Sequence, residues 1–453
     1  MRPARSKKTL GTAFAADIQA EIEALLSRCP DAALDLEAVE TAARRCALQL
    51  AALAVQDRLN ADGSDWQGPR LRCACGESAR YAGRRAKTFL SALGPIELRR
   101  AYYHCPACKA GFFPRDQSLG LAGTSLSPAT TRMLGTAAAC VSFAEASALL
   151  DELAGLRISP KQVERSAEAL GREIAADEQA RVETVPPPAP TMYLGLDGTG
   201  VPVRKQETAG RPGKQPDGSA KTREVKLVTV WTAESLHPKT GRPQRDPGSV
   251  TYSAAVESAA SLDTDPQPSP FARRVRREAE RRGFPHATRR VVLGDGAPWI
   301  WRLATEILPG AIQIVDLFHA KQHLSDVAKA IHGPGSARAE AWADTRHDEL
   351  DAGCIDAVLA ALRQHADNSE EARKCAEYVA TNQERMRYEK FRAAGLCVGS
   401  GVVEAGCKVT VGTRLKRAGM HWSVDGANDI LALRCCHLSG RIEDFWAYRS
   451  EAI

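Results

Sequence analysis

Two short apolar runs decide the fold of this chain: Tyr193-Leu194-Gly195-Leu196-Asp197-Gly198 and Val291-Val292-Leu293-Gly294-Asp295-Gly296. Each run has the length and composition of a buried strand, with an aspartate at its end and a glycine after it. In α/β sheets, groups in such places gather at the ligand-binding edge. The glycine after each aspartate lets a backbone or a phosphate come close. We therefore expect Asp197 and Asp295 to belong to one site.

Either aspartate has an ordinary structural explanation when it is considered alone. Asp-Gly is a common turn dipeptide, and an aspartate before a helix is a common cap. Two such aspartates in one sheet are also what a metal-dependent site requires. The two runs leave this choice open.

A third carboxylate, Glu404, lies in the predicted helical segment Gly399-Ser400-Gly401-Val402-Val403-Glu404. The bases near it in the sequence are Lys408, Arg414, Lys416 and Arg417. A solvated helix face would explain Glu404 by itself, whereas a cluster of bases around it favours contact with a DNA backbone. Three acidic oxygen donors suit Mg²⁺ or Mn²⁺, and two such ions can drive phosphodiester chemistry.

The pattern around these carboxylates predicts alternating strands and helices. Strands are expected at 192–196, 225–232, 250–254, 290–293 and 312–315, with a helix at 270–282. Residues 320–392 have a continuously helical pattern, and further helices are expected around Glu404 and at 426–438. We therefore expect an α/β core with a helical segment before its last catalytic helix.

Four cysteines have the spacing of metal ligands. Cys73 and Cys75 form Cys-x-Cys, Cys105 and Cys108 form Cys-x-x-Cys, and strand-like alternation at 96–104 lies between the pairs. Four thiolates suit tetrahedral Zn²⁺, so we expect a zinc ribbon. Arginines and tyrosines between the pairs suit a DNA surface, and a purely structural zinc site is the alternative.

Two helices joined by a short glycine-containing turn are predicted at 143–154 and from Pro160 onwards. Lys161, Gln162 and Arg165 open the second helix, where a helix-turn-helix places its base-reading side chains. Two packed helices that do not bind DNA are the alternative. Further helices are predicted at 13–26 and 34–59, and the proline-rich stretch 185–190 predicts a stiff linker.

Length and composition limit the class of protein. The chain has 453 residues, which predicts two to four domains. A net charge of +6 over this length is a weak argument for nucleic-acid binding, so the local distribution of charge has to be considered. No apolar stretch approaches the ~20 residues of a membrane span, and no apolar signal core follows the basic start. We therefore expect a cytoplasmic protein without a membrane partner.

From about 192 to 438 the chain resembles bacterial insertion-sequence DDE transposases of the ISKra type, which have an RNase H-like catalytic core. The segments that carry the resemblance are Leu196-Asp197-Gly198-Thr199-Gly200, Gly294-Asp295-Gly296, Val315-Asp316-Leu317-Phe318-His319, 399–404 and 413–423. The resemblance implies that Asp197, Asp295 and Glu404 are the catalytic carboxylates. It also implies that Asp316 and His319 lie near the active site without a defined role; a helix-capping aspartate and a partly buried histidine are the alternative.

The resemblance implies a multidomain α+β fold and a DNA transposase that uses two Mg²⁺ or Mn²⁺ ions beside a structural Zn²⁺. The expected division is 1–67 N-terminal helices, 68–120 zinc ribbon, 121–184 helix-turn-helix domain, 185–319 first part of the RNase H-like core, 320–395 helical insertion and 396–453 final core helices. Expected partners are double-stranded DNA, as element ends and target, and a second copy of the chain or more when assembled on DNA. The alternatives are a transposase-derived DNA-binding protein without catalysis and an RNase H-like nuclease that does not join strands.

Overall fold

The structure, a computed structural model, describes residues 20, 23–24, 35–181, 189–213, 215–260, 267–399 and 401–451. The predicted helix at 13–26 and the predicted linker at 185–190 lie largely outside these residues. The chain forms two compact units: unit 1 is Met1–Ser166 with Trp446–Ile453, and unit 2 is Ala167–Phe445. The six-part division expected from the sequence stays a prediction.

Unit 1 contains a four-stranded antiparallel sheet in the order β1-β2-β3-β4. Its strands are β1 (Arg70–Arg72), β2 (Ser78–Ser91), β3 (Gly94–His104) and β4 (Gly111–Phe112). The strand predicted at 96–104 lies within β3. Helix α1 (Leu36–Ala61) covers part of this strand: the Asn60 side chain donates to the Glu97 carbonyl at 2.8 Å and accepts from the Arg99 N–H at 2.8 Å. These bonds satisfy backbone groups of β3 that no neighbouring strand pairs.

Four helices follow the sheet: α2 (Pro114–Ser118), α3 (Pro128–Cys140), α4 (Phe143–Ala154) and α5 (Pro160–Ala180). Helix α4 starts with a capping box between Ser142 and Glu145 and ends at Gly155, whose φ of 67° is the left-handed conformation that favours glycine. The Ser147 hydroxyl donates to the Ile158 carbonyl at 2.6 Å and ties the turn to α4. The two helices and the turn predicted at 143–175 are therefore present.

Unit 2 is built on a five-stranded mixed sheet in the order β11-β10-β5-β6-β9. Its strands are β5 (Thr191–Pro202), β6 (Thr222–Thr232), β9 (Thr251–Ala255), β10 (Arg289–Gly294) and β11 (Ile312–Val315). Strands β5, β6 and β9 are antiparallel neighbours, whereas β10 and β11 run parallel to β5. All five strands predicted for this region are confirmed. Strands β7 (Ser235–Leu236) and β8 (Pro243–Gln244) form a separate hairpin.

Helices of unit 2 pack on the sheet and continue its core. They are α6 (Pro270–Arg281), α7 (Pro298–Ile307), α8 (Leu317–His332), α9 (Ala337–Asp351), α10 (Ile355–Arg363), α11 (Glu370–Asn382) and α12 (Tyr388–Ala393). Leu324 of α8, Val358 of α10 and Val379 of α11 belong to the same buried cluster as Leu196 and Leu293 of the sheet. The region 320–392, which the sequence pattern predicted to be continuously helical, is divided by turns into the helices α8 to α12, and it shares one hydrophobic core with the strands.

The last part of the chain carries α13 (Gly401–Cys407), a π-helical turn at Lys408–Gly412, α14 (Thr413–Leu415), α15 (Val424–Leu438) and α16 (Ile442–Glu451). The buried Arg434 side chain donates to the Val409 carbonyl, with an Nε–O distance of 3.0 Å, and satisfies a carbonyl within the π-helical turn. Turns of this kind are frequent at functional sites. Among the described residues, no helix is long and apolar enough to cross a membrane.

Candidate active site

The strand register of unit 2 aligns three aspartates at one edge of the sheet. Gly294 of β10 pairs with Leu196 of β5 on one side and with Val315 of β11 on the other. The residues that follow these three partners are Asp197, Asp295 and Asp316. Because the three strands are parallel, this register places the three carboxyl groups in a row. Asp295 and Asp316 directly follow the ends of β10 and β11, whereas Asp197 lies within β5, which continues to Pro202 and does not end at Leu196 as the sequence suggested.

Glu404 reaches this row from α13, which packs closely on the sheet because glycines line the contact. A Cβ atom on Gly195 would lie 2.1 Å from Cγ2 of Val403, the residue before Glu404. A Cβ atom on Gly406 would lie 3.0 Å from Cγ2 of Thr229 on β6. The two glycines therefore allow a helix backbone to approach the strands more closely than larger residues would permit.

Asp197, Asp295 and Glu404 line one open cavity of about 320 Å³. The other residues of its wall are Leu196, Gly294, Asp316, Phe318, His319, Gln322, Gly401 and Val403. Asp197 and Asp295 are partly buried, and Asp316 is buried, whereas Glu404 and His319 are exposed. The structure thus brings together all five residues that the sequence assigned to the site or its surroundings.

Burial raises the pKa of Asp197, and the neighbouring carboxylate of Asp295 raises it further. Two donors oppose these effects: the thiol of Cys407 and the backbone N–H of Gly198, which lies 2.6 Å from Oδ1 of Asp197. Cys407 lies on α13 three positions after Glu404, a spacing that places the two on one helix face. From the sequence alone, Cys407 was explained by the packing of a buried small residue, and its contact with Asp197 was not predicted. A nearby cation would favour the ionised form of Asp197.

A helix from the region 320–392 holds the loop that carries Asp295. The Tyr378 hydroxyl of α11 donates to the Asp295 backbone carbonyl at 2.8 Å. The ring lies so close to Gly296, which has a φ of 99°, that a Cβ atom there would be 2.4 Å from ring carbon Cε2. The Ala297 N–H also donates to Oδ1 of Asp295 at 2.9 Å and orients the carboxylate. No local pattern around Tyr378 indicated this contact.

Asp316 caps α8 and also faces the cavity, so the two interpretations of this residue are compatible. Its side chain accepts from the His319 N–H at 2.9 Å. The His319 ring lies edge-on to His323, with 5.1 Å between centroids, and His323 lies 4.6 Å from the Tyr378 ring. Burial, together with the nearby His319, lowers the pKa of His323, which favours its neutral form.

The donor set of the cavity suits a hard divalent cation, because its acidic groups are all carboxylates. Among the described residues, the four cysteines of unit 1 form the one group of three or more donors whose ligand atoms all lie within 4.8 Å of one another. Asp197, Asp295 and Glu404 do not form such a group.

The geometry of the cysteine cluster fits a tetrahedral metal site. The sulfur atoms of Cys73 and Cys108 are 3.6 Å apart, and those of Cys75 and Cys105 are 3.7 Å apart. Four Zn–S bonds of about 2.3 Å require sulfur atoms about 3.8 Å apart. Backbone N–H groups at Cys108 and Ala107 lower the pKa of the Cys105 thiol to about 7, which favours the thiolate. The cluster can hold zinc.

Three of the four bases expected to contact DNA near Glu404 are exposed: Lys408, Lys416 and Arg417. Lys416 also contacts the Thr199 hydroxyl on β5. Arg414 is wholly buried, with its guanidinium 5.4 Å from the Trp422 ring centroid. A buried side chain does not favour the expected contact of Arg414 with DNA, and that contact stays a prediction.

The three residues expected to read bases lie at the start of α5. Lys161 and Arg165 are exposed and Gln162 is half-buried. Lys161 forms an ion pair with Glu164 at 2.7 Å, which a phosphate could replace. Their role in DNA recognition stays a prediction.

Comparison with known proteins adds little to this geometry. No family model and no curated protein matches the chain. Among solved structures, the chain is similar to the Drosophila P element transposase strand transfer complex, with 11% sequence identity and a TM-score of 0.25 over 74% of this chain and 83% of that chain. A TM-score this low does not establish a common fold.

Proposed function

We propose that this chain is a DNA transposase of the DDE type, which cuts DNA at the ends of an insertion sequence and joins those ends to a target. The observation that carries the proposal is the common cavity of Asp197, Asp295 and Glu404, supplied by register-aligned positions on two neighbouring strands and by one helix. The mixed five-stranded sheet agrees with the RNase H-like core that the sequence resemblance implies.

In the proposed mechanism, the carboxylates of Asp197, Asp295 and Glu404 would hold two Mg²⁺ or Mn²⁺ ions. Such ions activate a water or 3′-hydroxyl nucleophile and stabilise the leaving oxygen of a phosphodiester. The Gly198 N–H, the Cys407 thiol and the Ala297 N–H hold two of these carboxylates in place. The exposed side chains of Lys408, Lys416 and Arg417 would bind flanking phosphates.

Unit 1 would bind the element ends in this proposal. The zinc ribbon would hold the sheet of β1–β4 rigid, and Lys161, Gln162 and Arg165 would contact bases from the start of α5. Joining requires two DNA ends in one complex, so we infer a dimer or larger assembly on DNA. An ISKra-type element in a bacterial host is the source that the resemblance favours.

The decisive experiment measures cleavage and strand joining on DNA that carries the element ends, in Mg²⁺ or Mn²⁺. We compare the wild type with Asp197→Asn, Asp295→Asn and Glu404→Gln, and use Asp425→Asn, an exposed acid on α15 outside the cavity, as the matched control. Loss of metal-ligand charge should slow cleavage on the order of 10³-fold without loss of DNA binding.

Three results separate the candidates. Cleavage with joining in the wild type and Asp425→Asn, lost in the three cavity variants, supports the transposase. Cleavage that depends on the same carboxylates but gives no joined product indicates a nuclease. Specific DNA binding that is equal in all five proteins, with no cleavage, indicates a DNA-binding protein without catalysis and contradicts the proposal.

A further inference from the structure

Phe318 is an exposed aromatic residue in the wall of the carboxylate cavity. Its side chain is 66% exposed, although it is the second residue of α8 and its neighbour Leu317 is buried in the core at 6%. A single exposed apolar side chain is ordinary on a protein surface. Phe318 is different because it shares its cavity with Asp197, Asp295 and Glu404, and an apolar ring has no part in binding cations there.

The backbone opposite α8 supports the ring from one side. A Cβ atom on Gly399 would lie 2.6 Å from Cε2 and 2.9 Å from Cδ2 of Phe318, so only glycine leaves room for the ring in this position. The Leu317 N–H donates to the Val398 carbonyl at 3.0 Å and fixes this backbone beside the start of α8. The ring is thus backed by Gly399 and open towards the cavity.

We propose that Phe318 stacks on the base of a nucleotide next to the scissile phosphate. This inference rests on the proposed function, since the carboxylates would hold that phosphate through their cations. A nucleotide has the two parts that the cavity serves: an anionic phosphodiester for the cation site and a flat apolar face for the ring. Stacking on an aromatic side chain accepts any base, which suits a residue that positions DNA without reading its sequence.

The ring would hold one nucleotide in a fixed orientation while the phosphodiester reacts. Phe318 is therefore a binding and positioning residue, and the carboxylates perform the chemistry. Removing the ring should weaken binding of the intact substrate roughly 5- to 150-fold, which is the effect of losing one base stack. A leucine of similar volume should restore little of this binding, whereas tryptophan should restore most of it.

The test asks whether Phe318 contacts one particular base of the DNA. Binding of element-end DNA in Ca²⁺ is measured for the wild type, Phe318→Ala, Phe318→Leu and Phe318→Trp, with duplexes that carry an abasic site at each position flanking the cut. Leu236→Ala, an equally exposed apolar residue on β7 outside the cavity, is the control for a changed surface. Because Phe318 is exposed, its variants should fold, and thermal unfolding checks this.

The inference is supported if an abasic site at one position weakens DNA binding by the wild type but does not weaken DNA binding by Phe318→Ala any further. Phe318→Trp should bind the intact DNA like the wild type. It is overturned if Phe318→Ala binds and cuts intact DNA like the wild type while Asp295→Asn is inactive. That second outcome leaves the proposed transposase function intact. If the wild type neither binds nor cuts element ends, both proposals fail together.

Discussion

Asp197 and Asp295 occupy equivalent positions on neighbouring parallel strands, because each directly follows one member of the Leu196–Gly294 pair. Parallel neighbours lie about 4.8 Å apart, so the backbone register itself sets the distance between the two side-chain origins. Leu196 and Leu293 beneath them are fully buried. A site built on strands in a packed core holds its geometry more accurately than one built on loops.

The contact between Gly195 and Val403 sets the distance of Glu404 from the sheet. Gly195→Ala would place a methyl group 2.1 Å from Val403 and 2.7 Å from the Thr229 hydroxyl, so α13 must move outward. We expect the free energy of unfolding to fall by about 1–3 kcal/mol and metal-dependent cleavage to fall with it. Urea denaturation and the cleavage assay measure the two effects.

The size of Val403 provides the control for this prediction. Val403→Ala in the Gly195→Ala background removes one of the two clashing groups and should restore part of both stability and cleavage. An equal loss in the single and double variants would show that Val403 does not set the position of α13.

Tyr378 and Tyr388 form a matched pair for testing how the helical region supports the site. The Tyr378 hydroxyl donates to the Asp295 carbonyl, whereas the buried Tyr388 hydroxyl has no hydrogen-bond partner among the described residues. Tyr378→Phe should lower the free energy of unfolding by about 1 kcal/mol and weaken cation affinity about tenfold. Tyr388→Phe should leave both unchanged or slightly raise stability.

Calorimetric titration with Mn²⁺ gives the cation affinity of each variant, and chemical denaturation gives the stability. Equal effects of the two substitutions on cation affinity would mean that the hydroxyl of Tyr378 has no special part in holding the Asp295 loop.

Local patterns predicted the five strands of unit 2, and the three predicted carboxylates line one cavity, although their catalytic role stays a prediction. Residues 191–196 of β5 and 291–294 of β10 are buried, so they are almost all apolar, and a charged residue that follows such a run is conspicuous. The sequence also predicted Cys73 and Cys105, since cysteine spacing within a turn is a local property.

Contacts made across the fold were not predictable in this way. Arg414 looks like an exposed base in the sequence, and only the tertiary packing of Trp422 shows that it is buried. Tyr378 is 83 positions away from its acceptor Asp295, and no local pattern links the two. The alignment of Asp316 with Asp295 likewise depends on which strands are neighbours, which periodicity does not reveal.

The cysteine cluster predicts one bound zinc ion per chain. Cys105→Ser removes a buried ligand and should abolish stoichiometric zinc binding, and the sheet of β1–β4 should lose its resistance to proteolysis. Cys140→Ser changes an exposed cysteine outside the cluster and should retain one zinc. Metal release measured with a colorimetric chelator decides between these outcomes, and a full equivalent of zinc in Cys105→Ser would contradict the assignment.

The contribution of Asp246 to the stability of the fold should depend on pH. Burial acts to raise its pKa, but hydrogen bonds from the Ser235 and Thr232 hydroxyls and from the Glu234 and Ser235 N–H groups outweigh it and lower the pKa to about 2. The Thr232 hydroxyl lies 2.6 Å from Oδ2, and the Ser235 N–H lies 2.9 Å from Oδ1. These bonds hold the turn between β6 and β7 in its observed conformation.

Because the pKa of Asp246 in the folded protein lies below its usual value of 3.8, its contribution to stability is complete above about pH 4 and is lost as the pH falls towards 2. Asp246→Asn should therefore lower the free energy of unfolding by about 1 kcal/mol at pH 7, since solvent screens the charge of this partly exposed group. Urea denaturation of both proteins between pH 7 and pH 3 should show the difference shrinking in acid. A difference that stays constant or widens as the pH falls would contradict the assigned role, since protonation of Asp246 removes the charge that these donors stabilise.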